Sequence, residues 1–458
     1  MRMKFSLICL SVLAFESMAP AQNRSAATEH WVATWATAQP IAAPSTLGRG
    51  GPPPPAQIPQ GQPPQAQPPQ PGAAPGAPAP NPQVPPPGAQ GRGGRGGQPP
   101  VPSTLNDQTI RMVVHTSIGG RRVRVQLSNA ALAAPVVIGS AHIAVRAKDS
   151  AIVPGTDRTL TFSGQPGCTL WPGILMLSDP VDLEVAPLSD LAVSLYVPKD
   201  TGPPTNHNLA LHTGYISKGN TTAQEVMPAP ATTRAYLWLS AVDVAAAPNA
   251  FTIVALGDSI TDGQGTTLDA NLTWTDVLAR KLAANKATSH IAVVNQGVQG
   301  NQVLRDQAGV SALARFDRDV LSRSGVKWVI LLQAINDIVR HGQDGSADPV
   351  TADDLIAGYR QIIARAHTYG IRVIGATVTP AEGQRQVTDS MQAMRTAVNQ
   401  WIRTSRAFDA VVDFDAAVRD PEHPLRLRTT FDSGDHIHLS DAGNQAMADA
   451  FDLAIFRK

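Results

Sequence analysis

The chain has 458 residues, enough for two or three domains, and its 43% hydrophobic content is typical of a soluble protein with a large core. Its 37 basic and 36 acidic residues leave a net charge of +1. A charge so close to zero gives none of the strong positive field that attracts nucleic acids or anionic membrane surfaces. We therefore expect neither of these as a partner of the mature protein.

The first 21 residues have the pattern of a secretory signal peptide. A basic start, Met1 to Lys4, precedes an apolar run over residues 5–15 and a small-residue cleavage site at residues 19–21. The apolar run is well short of the ~20 residues that span a bilayer. No other stretch of the sequence is long and apolar enough to span a bilayer. The sequence thus predicts removal of residues 1–21 and a secreted or periplasmic protein.

A low-complexity segment interrupts the N-terminal half of the chain. Residues 28–41 contain Trp31 and Trp35 among β-forming neighbours and are predicted to form a first strand. Residues 42–103 consist largely of Pro, Gln, Gly and Ala, which offer too little apolar surface to offset the entropy of ordering. We interpret them as a disordered insert that the fold tolerates, in preference to a tether. The strand before the insert should then join the sheet that follows it.

Residues 104–244 have the pattern of an all-β domain. Short alternating runs, such as residues 109–115, 122–127 and 191–197, are separated by Gly and Pro turn signals, and no helical period of useful length occurs. The pattern predicts a β-sandwich or jelly roll.

The β domain contains four histidines and the only cysteine of the mature chain. The spacing of His115, His142, His207 and His212 fits no metal-binding pattern, and no clustered carboxylates accompany them. We interpret these histidines as structural hydrogen-bonding residues and expect no metal. Cys168 has no partner for an intramolecular disulfide and is interpreted as a small apolar residue.

Residues 250–458 alternate between strand and helix patterns. Apolar runs predict strands over residues 251–256, 291–295, 328–333, 371–377 and 410–414. Apolar residues at helical spacing lie between them. One helical pattern has an N-cap signal at Thr351 and a stop signal at Gly370. A stripe of apolar residues from Met391 to Ile402 predicts another helix, whose apolar face packs against the core. This alternation predicts a three-layer α/β fold with a parallel sheet.

The first of these runs leads directly into a candidate nucleophile. It ends at Gly257-Asp-Ser-Ile-Thr261, which places Ser259 on the turn after a buried strand. Open α/β sheets bind ligands at the carboxyl ends of their strands. The turns after the second and third strands contain Gly300 and Asn336, which can offer a backbone N–H and a side-chain amide to a developing oxyanion. For Asn336, a simple Asx turn that ends the strand is the alternative.

A base for Ser259 is predicted near the C-terminus. Asp435 and His438 are three residues apart and would share one side of a helical turn, so the carboxylate can orient the imidazole. His436 is the local competitor, but no carboxylate lies three residues before it. We therefore predict His438 as the base and Asp435 as its partner.

Taken in order, these stretches resemble the sequence blocks of the GDSL, or SGNH, superfamily of serine esterases. Ser259, Gly300, Asn336 and the Asp435-x-x-His438 pair match its successive blocks, and the resemblance extends from about residue 250 to the C-terminus. It implies a flavodoxin-like sheet, a shallow site and ester hydrolysis without a metal or other cofactor. It also implies an oxyanion hole formed by the N–H groups of Ser259 and Gly300 and the side chain of Asn336.

The sequence departs from the family pattern at one position, and a second, looser likeness extends into the β domain. The family usually has glycine where this chain has Ala334, and alanine disfavours positive φ, so a different local loop is possible. A looser likeness in residues 31–35, 115–120 and 124–129 points to the exported, xylan-esterase-like branch. It implies short-chain esters, acetyl in particular, on plant cell-wall polysaccharides. A lipase, arylesterase or thioesterase of the same superfamily and an inactive glycan-binding protein are the alternatives, and the oligomeric state stays open.

Overall fold

The computed structural model describes residues 29–40, 101–130, 134–342, 345–346 and 348–457. The predicted signal peptide lies outside these residues, as does the predicted insert up to residue 100. The described chain has an antiparallel β domain that ends at Ala245 and an α/β domain whose first strand begins at Phe251. No helix within the described ranges is both long enough and apolar enough to cross a membrane.

The β domain is built from short strands. They are β1 (Trp31–Ala36), β2 (Gln108–His115), β3 (Gly120–Ser128), β4 (Val136–Ile138), β5 (Ser140–Lys148), β6 (Ala151–Ile152), β7 (Arg158–Thr159), β8 (Cys168–Leu170), β9 (Leu175–Leu177), β10 (Val181–Val185), β11 (Asp190–Val197), β12 (Asn206–His207), β13 (Gly214–Lys218), β14 (Ala231–Thr233), β15 (Tyr236–Leu237) and β16 (Leu239–Ala245).

Two antiparallel sheets of this domain face each other. One has the order β1-β16-β3-β10 with β9 paired to β3, and the other has the order β14-β13-β2-β11-β5-β6 with β7 paired to β5. Buried side chains from both sheets, among them Val125 and Val242 of the first and Ile110 and Leu195 of the second, share one hydrophobic core. Alternating apolar residues therefore produce a β-sandwich, as the sequence pattern predicts.

Strand β1 belongs to the β domain and also contacts the α/β domain. It pairs antiparallel with β16, with Val32 opposite Val244. The Ala33 N–H donates to the Ser324 carbonyl at 3.0 Å, and the Ala33 carbonyl accepts from the Thr252 hydroxyl at 3.0 Å. The strand that precedes the long insert thus joins the two domains.

The α/β domain alternates strands and helices. Its elements are β17 (Phe251–Gly257), α1 (Ser259–Asp262), α2 (Trp274–Ala284), β18 (Ile291–Gly297), α3 (Ala312–Phe316), β19 (Val326–Leu332), α4 (Ile335–His341), α5 (Ala352–Thr368), β20 (Arg372–Ala376), α6 (Asp389–Thr404), β21 (Ala410–Val412), α7 (Phe414–Val418) and α8 (Asp441–Asp449). A π-helical turn at Asp317–Leu321 follows α3, and a 3-10 helix at Leu453–Arg457 follows α8.

The five strands form a parallel sheet in the order β18-β17-β19-β20-β21. This is the 2-1-3-4-5 order of flavodoxin-like sheets, in which the chain reverses direction beside the first strand. Helices α2, α7 and α8 contact one another, whereas α3, α4, α5 and α6 form a second contacting group. The predicted three-layer α/β fold is confirmed, and β17 lies at the point where ligands bind in such sheets.

The predicted boundaries of the longest helix are also confirmed. Thr351 caps α5, because its hydroxyl accepts from the Asp354 N–H while the Asp354 carboxylate accepts from the Thr351 N–H. After the helix, Gly370 takes a left-handed φ of 67°. Both ends of the helix follow from local interactions whose residues can be recognised in the sequence.

Candidate active site

Ser259 is the first residue of α1, directly beyond the end of β17. The Asp258 carboxylate caps this helix by accepting the Ile260 N–H at 3.0 Å. Gly257 makes the sharp turn possible, because a Cβ added there would lie 2.0 Å from the Thr261 hydroxyl. Ser259 itself is 6% exposed. The predicted nucleophile therefore sits on a tight strand-to-helix turn with its environment largely closed to water.

The structure brings His438 and Asp435 to Ser259. The His438 Nε2 is 2.7 Å from the Ser259 Oγ, and its Nδ1 is 2.6 Å from the Asp435 Oδ2. An ionised carboxylate can only accept, so the Nδ1 carries the proton and the Nε2 is free to accept the serine hydroxyl proton. The three side chains form one hydrogen-bonded chain that can activate a serine.

Asp435 is held as a carboxylate. Partial burial alone would raise its pKa, but hydrogen bonds from the His438 ring and from the N–H groups of His438 and Ile437 outweigh burial and lower its pKa to about 2. These backbone N–H groups donate to the Asp435 Oδ1 at 2.9 and 3.1 Å. The negative charge beside the imidazole is therefore present in any mildly acidic medium.

His436 has a carboxylate partner of its own, although none lies three residues before it. Its Nδ1 lies 2.7 Å from the Asp432 Oδ2, four residues earlier. Residues 434–438 form bends rather than a helical turn, so a spacing of three has no special status there. The His436 side chain is 53% exposed and pairs only locally, whereas His438 reaches Ser259.

The three predicted oxyanion donors come from Ser259, Gly300 and Asn336, which follow β17, β18 and β19. Within the described chain, the N–H groups of Ser259 and Gly300 have no hydrogen-bond acceptor. Asn336 uses one amide hydrogen on the Asn301 carbonyl at 3.1 Å, which fixes the side chain and leaves its second hydrogen available. Gly300 has a φ of 69°. The residues predicted as oxyanion donors thus lie on turns after neighbouring strands.

Comparison with known proteins identifies this domain. Residues 253–451 match the family of GDSL-like lipases and acylhydrolases. The α/β domain is a GDSL-like acylhydrolase domain. The match begins in β17 and ends after α8, so it includes Ser259, Gly300, Asn336, Asp435 and His438. The domain is therefore that of a carboxylic ester hydrolase.

Solved structures match a little under half of the chain. An alpha/beta hydrolase enzyme from the metagenome of Lake Arreo, Spain, is 27% identical, covers 46% of this chain and 97% of its own, and has a TM-score of 0.35. An acetyl xylan esterase variant from Geobacillus stearothermophilus is 25% identical over 44% of this chain and 92% of its own, with a TM-score of 0.34. A GDSL-like lipase from Bacteroides thetaiotaomicron is 18% identical, with coverages of 45% and 88% and a TM-score of 0.33. No curated protein matches the chain.

Asp337 supports the GDSL-like site in a way that the sequence did not reveal. In the structure it reaches back and accepts the N–H groups of Val303 and Leu304 at 2.9 and 3.2 Å. Burial raises its pKa to about 6 despite these bonds. Asp337 thereby fixes the segment that follows Gly300.

Arg315 is a second supporting residue that sequence reasoning missed. It is 1% exposed, and its guanidinium donates to the carbonyls of Gly257 and Gln296 at 2.7 and 2.8 Å and to the Asn301 Oδ1 at 3.0 Å. Asp319 balances its charge at 2.9 Å. One buried cation thus connects the ends of β17 and β18 with the turn that carries Gly300. No local pattern distinguishes it from a surface arginine of a short helix.

A polar groove borders the oxyanion donors. It has a volume of about 540 Å³ and is lined by Gln307, Val339, Arg340, His341, Arg385, Gln386 and Thr388. Arg340 connects it to the site, since its Nη2 is 3.1 Å from the position of a Cβ added to Gly300. No metal-binding group of three or more His, Cys, Asp or Glu side chains occurs in the described ranges.

Ala334 takes a left-handed backbone conformation that favours glycine. Its φ is 96° and its ψ is −20°, so the alanine before α4 bears the strain. A left-handed alanine costs about 1–2 kcal/mol.

We expect Ala334→Gly to change the free energy of unfolding by less than about 1 kcal/mol. Relief of strain is offset by the loss of a buried methyl, worth about 0.8 kcal/mol, and by the greater entropy of unfolded glycine. Ala334→Val should lose at least about 2 kcal/mol, because a β-branched residue is poorly tolerated at positive φ and overpacks the site. Denaturant unfolding of both variants measures this, and equal losses would contradict the account.

Proposed function

We propose that the protein is an exported serine esterase that removes short acyl groups, acetyl in particular, from polar alcohols such as plant cell-wall polysaccharides. The observation that carries the proposal is the continuous hydrogen-bonded chain from Asp435 through His438 to Ser259. The Asn336 amide, oriented by the Asn301 carbonyl, and the N–H groups of Ser259 and Gly300 support it as candidate oxyanion donors. A nucleophile, its base, an orienting acid and an oxyanion hole are the complete requirements of acyl transfer.

The reaction follows from these contacts in two steps. The Ser259 Oγ attacks the ester carbonyl as His438 Nε2 takes its proton, and the negative oxygen is bound by the N–H groups of Ser259 and Gly300 and the Asn336 amide. Collapse breaks the ester bond, and the alcohol leaves with the proton from His438. Water then attacks the acyl-serine, His438 accepts its proton and returns it to Ser259, and the carboxylic acid is released.

Asp435 acts through His438 in both steps. Its carboxylate fixes the tautomer and stabilises the imidazolium that forms when the serine proton is taken. Because the pKa of Asp435 is lowered to about 2, this charge persists over the working range of an esterase.

The polar groove supports a hydrophilic substrate. Val339 is the only apolar side chain among its lining residues, and arginine, glutamine, histidine and threonine provide the rest. Such a surface offers hydrogen bonds to sugar hydroxyls. It buries little of a long acyl chain, which would gain binding free energy only through burial, at about 0.8 kcal/mol per CH₂. A short acyl group on a polar alcohol fits these lining residues best.

Replacement of the nucleophile tests the function. We expect Ser259→Ala to lower kcat for p-nitrophenyl acetate by about 10⁴-fold or more, since triad residues act as a unit. Ser289→Ala, at an exposed serine whose hydroxyl only contacts the Lys286 carbonyl, is the control and should keep the parent rate. Comparable turnover by Ser259→Ala and the parent would refute the proposal. Glycan binding without turnover of any ester would favour an inactive binding protein.

The two neighbouring His–Asp pairs provide a matched test of the base. His438→Ala should abolish turnover to a similar degree, because among the described residues the His438 ring is the group hydrogen-bonded to the Ser259 Oγ. His436→Ala removes an imidazole with the same kind of carboxylate partner but no contact to Ser259, so its rate should stay close to that of the parent. Steady-state kinetics on both variants decide the assignment, and a larger loss for His436→Ala would reverse it.

Acyl-chain length tests the substrate class. With p-nitrophenyl esters from acetate to octanoate, kcat/KM should be highest for acetate and fall as the chain lengthens, because the groove offers longer chains little apolar burial. Acetate release from acetylated xylan and pectin then tests the alcohol side. A maximum at long chains would point to a lipase or thioesterase of the same superfamily.

A further inference from the structure

A buried histidine of the β domain contacts the helix that carries Ser259. His207, in β12, is 2% exposed, and its Nε2 lies 2.9 Å from the Oδ1 of Asp262. Asp262 is the last residue of α1, three residues after Ser259, and it is also buried. The sequence offered His207 only as a lone structural histidine, because its partner is 55 residues away.

Both ring nitrogens of His207 face oxygen acceptors. The Nδ1 is 2.7 Å from the Ala38 carbonyl oxygen, which can only accept, so the Nδ1 carries a hydrogen. Burial lowers the pKa of His207, but the Asp262 carboxylate and the hydrogen bonds outweigh burial and raise it above its ordinary value. The pair is thus a hydrogen-bonded imidazole and carboxyl group buried between two domains, where removal of one partner leaves a buried polar group unpaired.

Asp262 also contacts the segment that carries Gly300. A Cβ added to Gly297 would lie 2.2 Å from the Asp262 nitrogen, so the backbones of α1 and the end of β18 are in direct contact. The Gln299 N–H faces the Asp262 carboxylate and lowers its pKa, while burial, the larger effect, raises it. Asp262 therefore lies between the Ser259 turn and the oxyanion loop, and His207 holds it from the β-domain side.

The surrounding interface is tightly packed and polar. The Asp269 carboxylate accepts the Thr213 N–H at 2.7 Å, and the His212 Nε2 is 2.6 Å from the Asn271 Oδ1. The cavity beside His207 has a volume of only about 60 Å³, which suits a few water molecules rather than a substrate. His207 thus has a structural connection to the reacting serine but no room to bind substrate itself.

We propose that His207 is a positioning residue through which the β domain sets the geometry of Ser259 and Gly300, so that ester hydrolysis depends on the β domain. The proposal rests on the proposed role of Ser259 as nucleophile. A displacement of about 1 Å at a reacting group can cost about 10²-fold in rate. Loss of the His207 contact lets Asp262, and with it the α1 turn, move by such an amount.

His207→Ala in the full-length protein tests the proposal. We expect kcat for p-nitrophenyl acetate to fall about 10- to 100-fold with little change in KM, because the contact affects alignment rather than binding. The matched control is His142→Ala, at another buried histidine of the β domain, which pairs with Asp157 at 2.8 Å. It removes the same kind of His–Asp pair without a contact to α1 and should keep the parent kcat.

Two further variants separate positioning from stability. His207→Gln keeps an amide hydrogen for Asp262 and should recover part of the lost kcat, which also guards against misfolding of the alanine variant. His207→Ala combined with Asp262→Asn should lose less kcat than the product of the single losses, because both substitutions act on one contact. Thermal unfolding and the rate of Ser259 labelling by a fluorophosphonate are measured for each variant.

The outcomes distinguish this inference from the proposed function. A slower labelling rate for His207→Ala at a temperature where it is fully folded supports positioning. Equal kcat and labelling rates for His207→Ala and His142→Ala would overturn the inference and leave Ser259 as the nucleophile. Full activity of Ser259→Ala would instead refute the proposed function on which the inference depends.

Discussion

The direct contact between the α1 turn and the end of β18 is the constraint on which the site depends. At Gly257 and Gly297 an added Cβ would lie 2.0 and 2.2 Å from atoms of α1, distances that no real side chain reaches. The two glycines let the turn that carries Ser259 lie directly against the segment that leads to Gly300. The predicted nucleophile and one predicted oxyanion donor therefore follow two neighbouring strands whose ends contact the same short helix. Main chain rather than mobile side chains sets the spacing of these strand ends.

Buried polar side chains hydrogen-bond the main chain around this contact. Arg315 donates to carbonyls at the ends of both strands, where the parallel ladder stops and peptide groups need new partners. Asp337 accepts two N–H groups of the following segment, and Asp258 caps α1. Burial raises the pKa of Asp258 to about 7 and that of Asp337 to about 6, so the polar groups at this site are costly to bury. Their cost is offset by the hydrogen bonds that they make to the main chain.

The sequence predicted those parts of the structure that depend on local pattern. The strands of the α/β domain, the ends of α5 and the residues of the motifs follow from apolar runs, caps and short motifs that are contiguous in the chain. His207, Asp262 and Arg315 could not be found in this way. Their partners lie far away in sequence, and a buried arginine has the same local neighbours as an exposed one. The partner of His436 was missed for a related reason, because the spacing rule assumed a helical turn where the chain bends and Asp432 lies four residues earlier.

Ala334 shows how strongly the site constrains its own backbone. Alanine would relieve its strain by leaving the left-handed region, yet φ stays at 96°. The neighbouring groups explain why, since Asn336 is bonded to the Asn301 carbonyl and Asp337 to two N–H groups on the same segment. A shift of Ala334 would break these three bonds, each worth about 1 kcal/mol and more when a buried group is left unpaired. The strain of about 1–2 kcal/mol is smaller than the loss of these bonds, so the loop keeps the geometry that holds Asn336 on the Asn301 carbonyl.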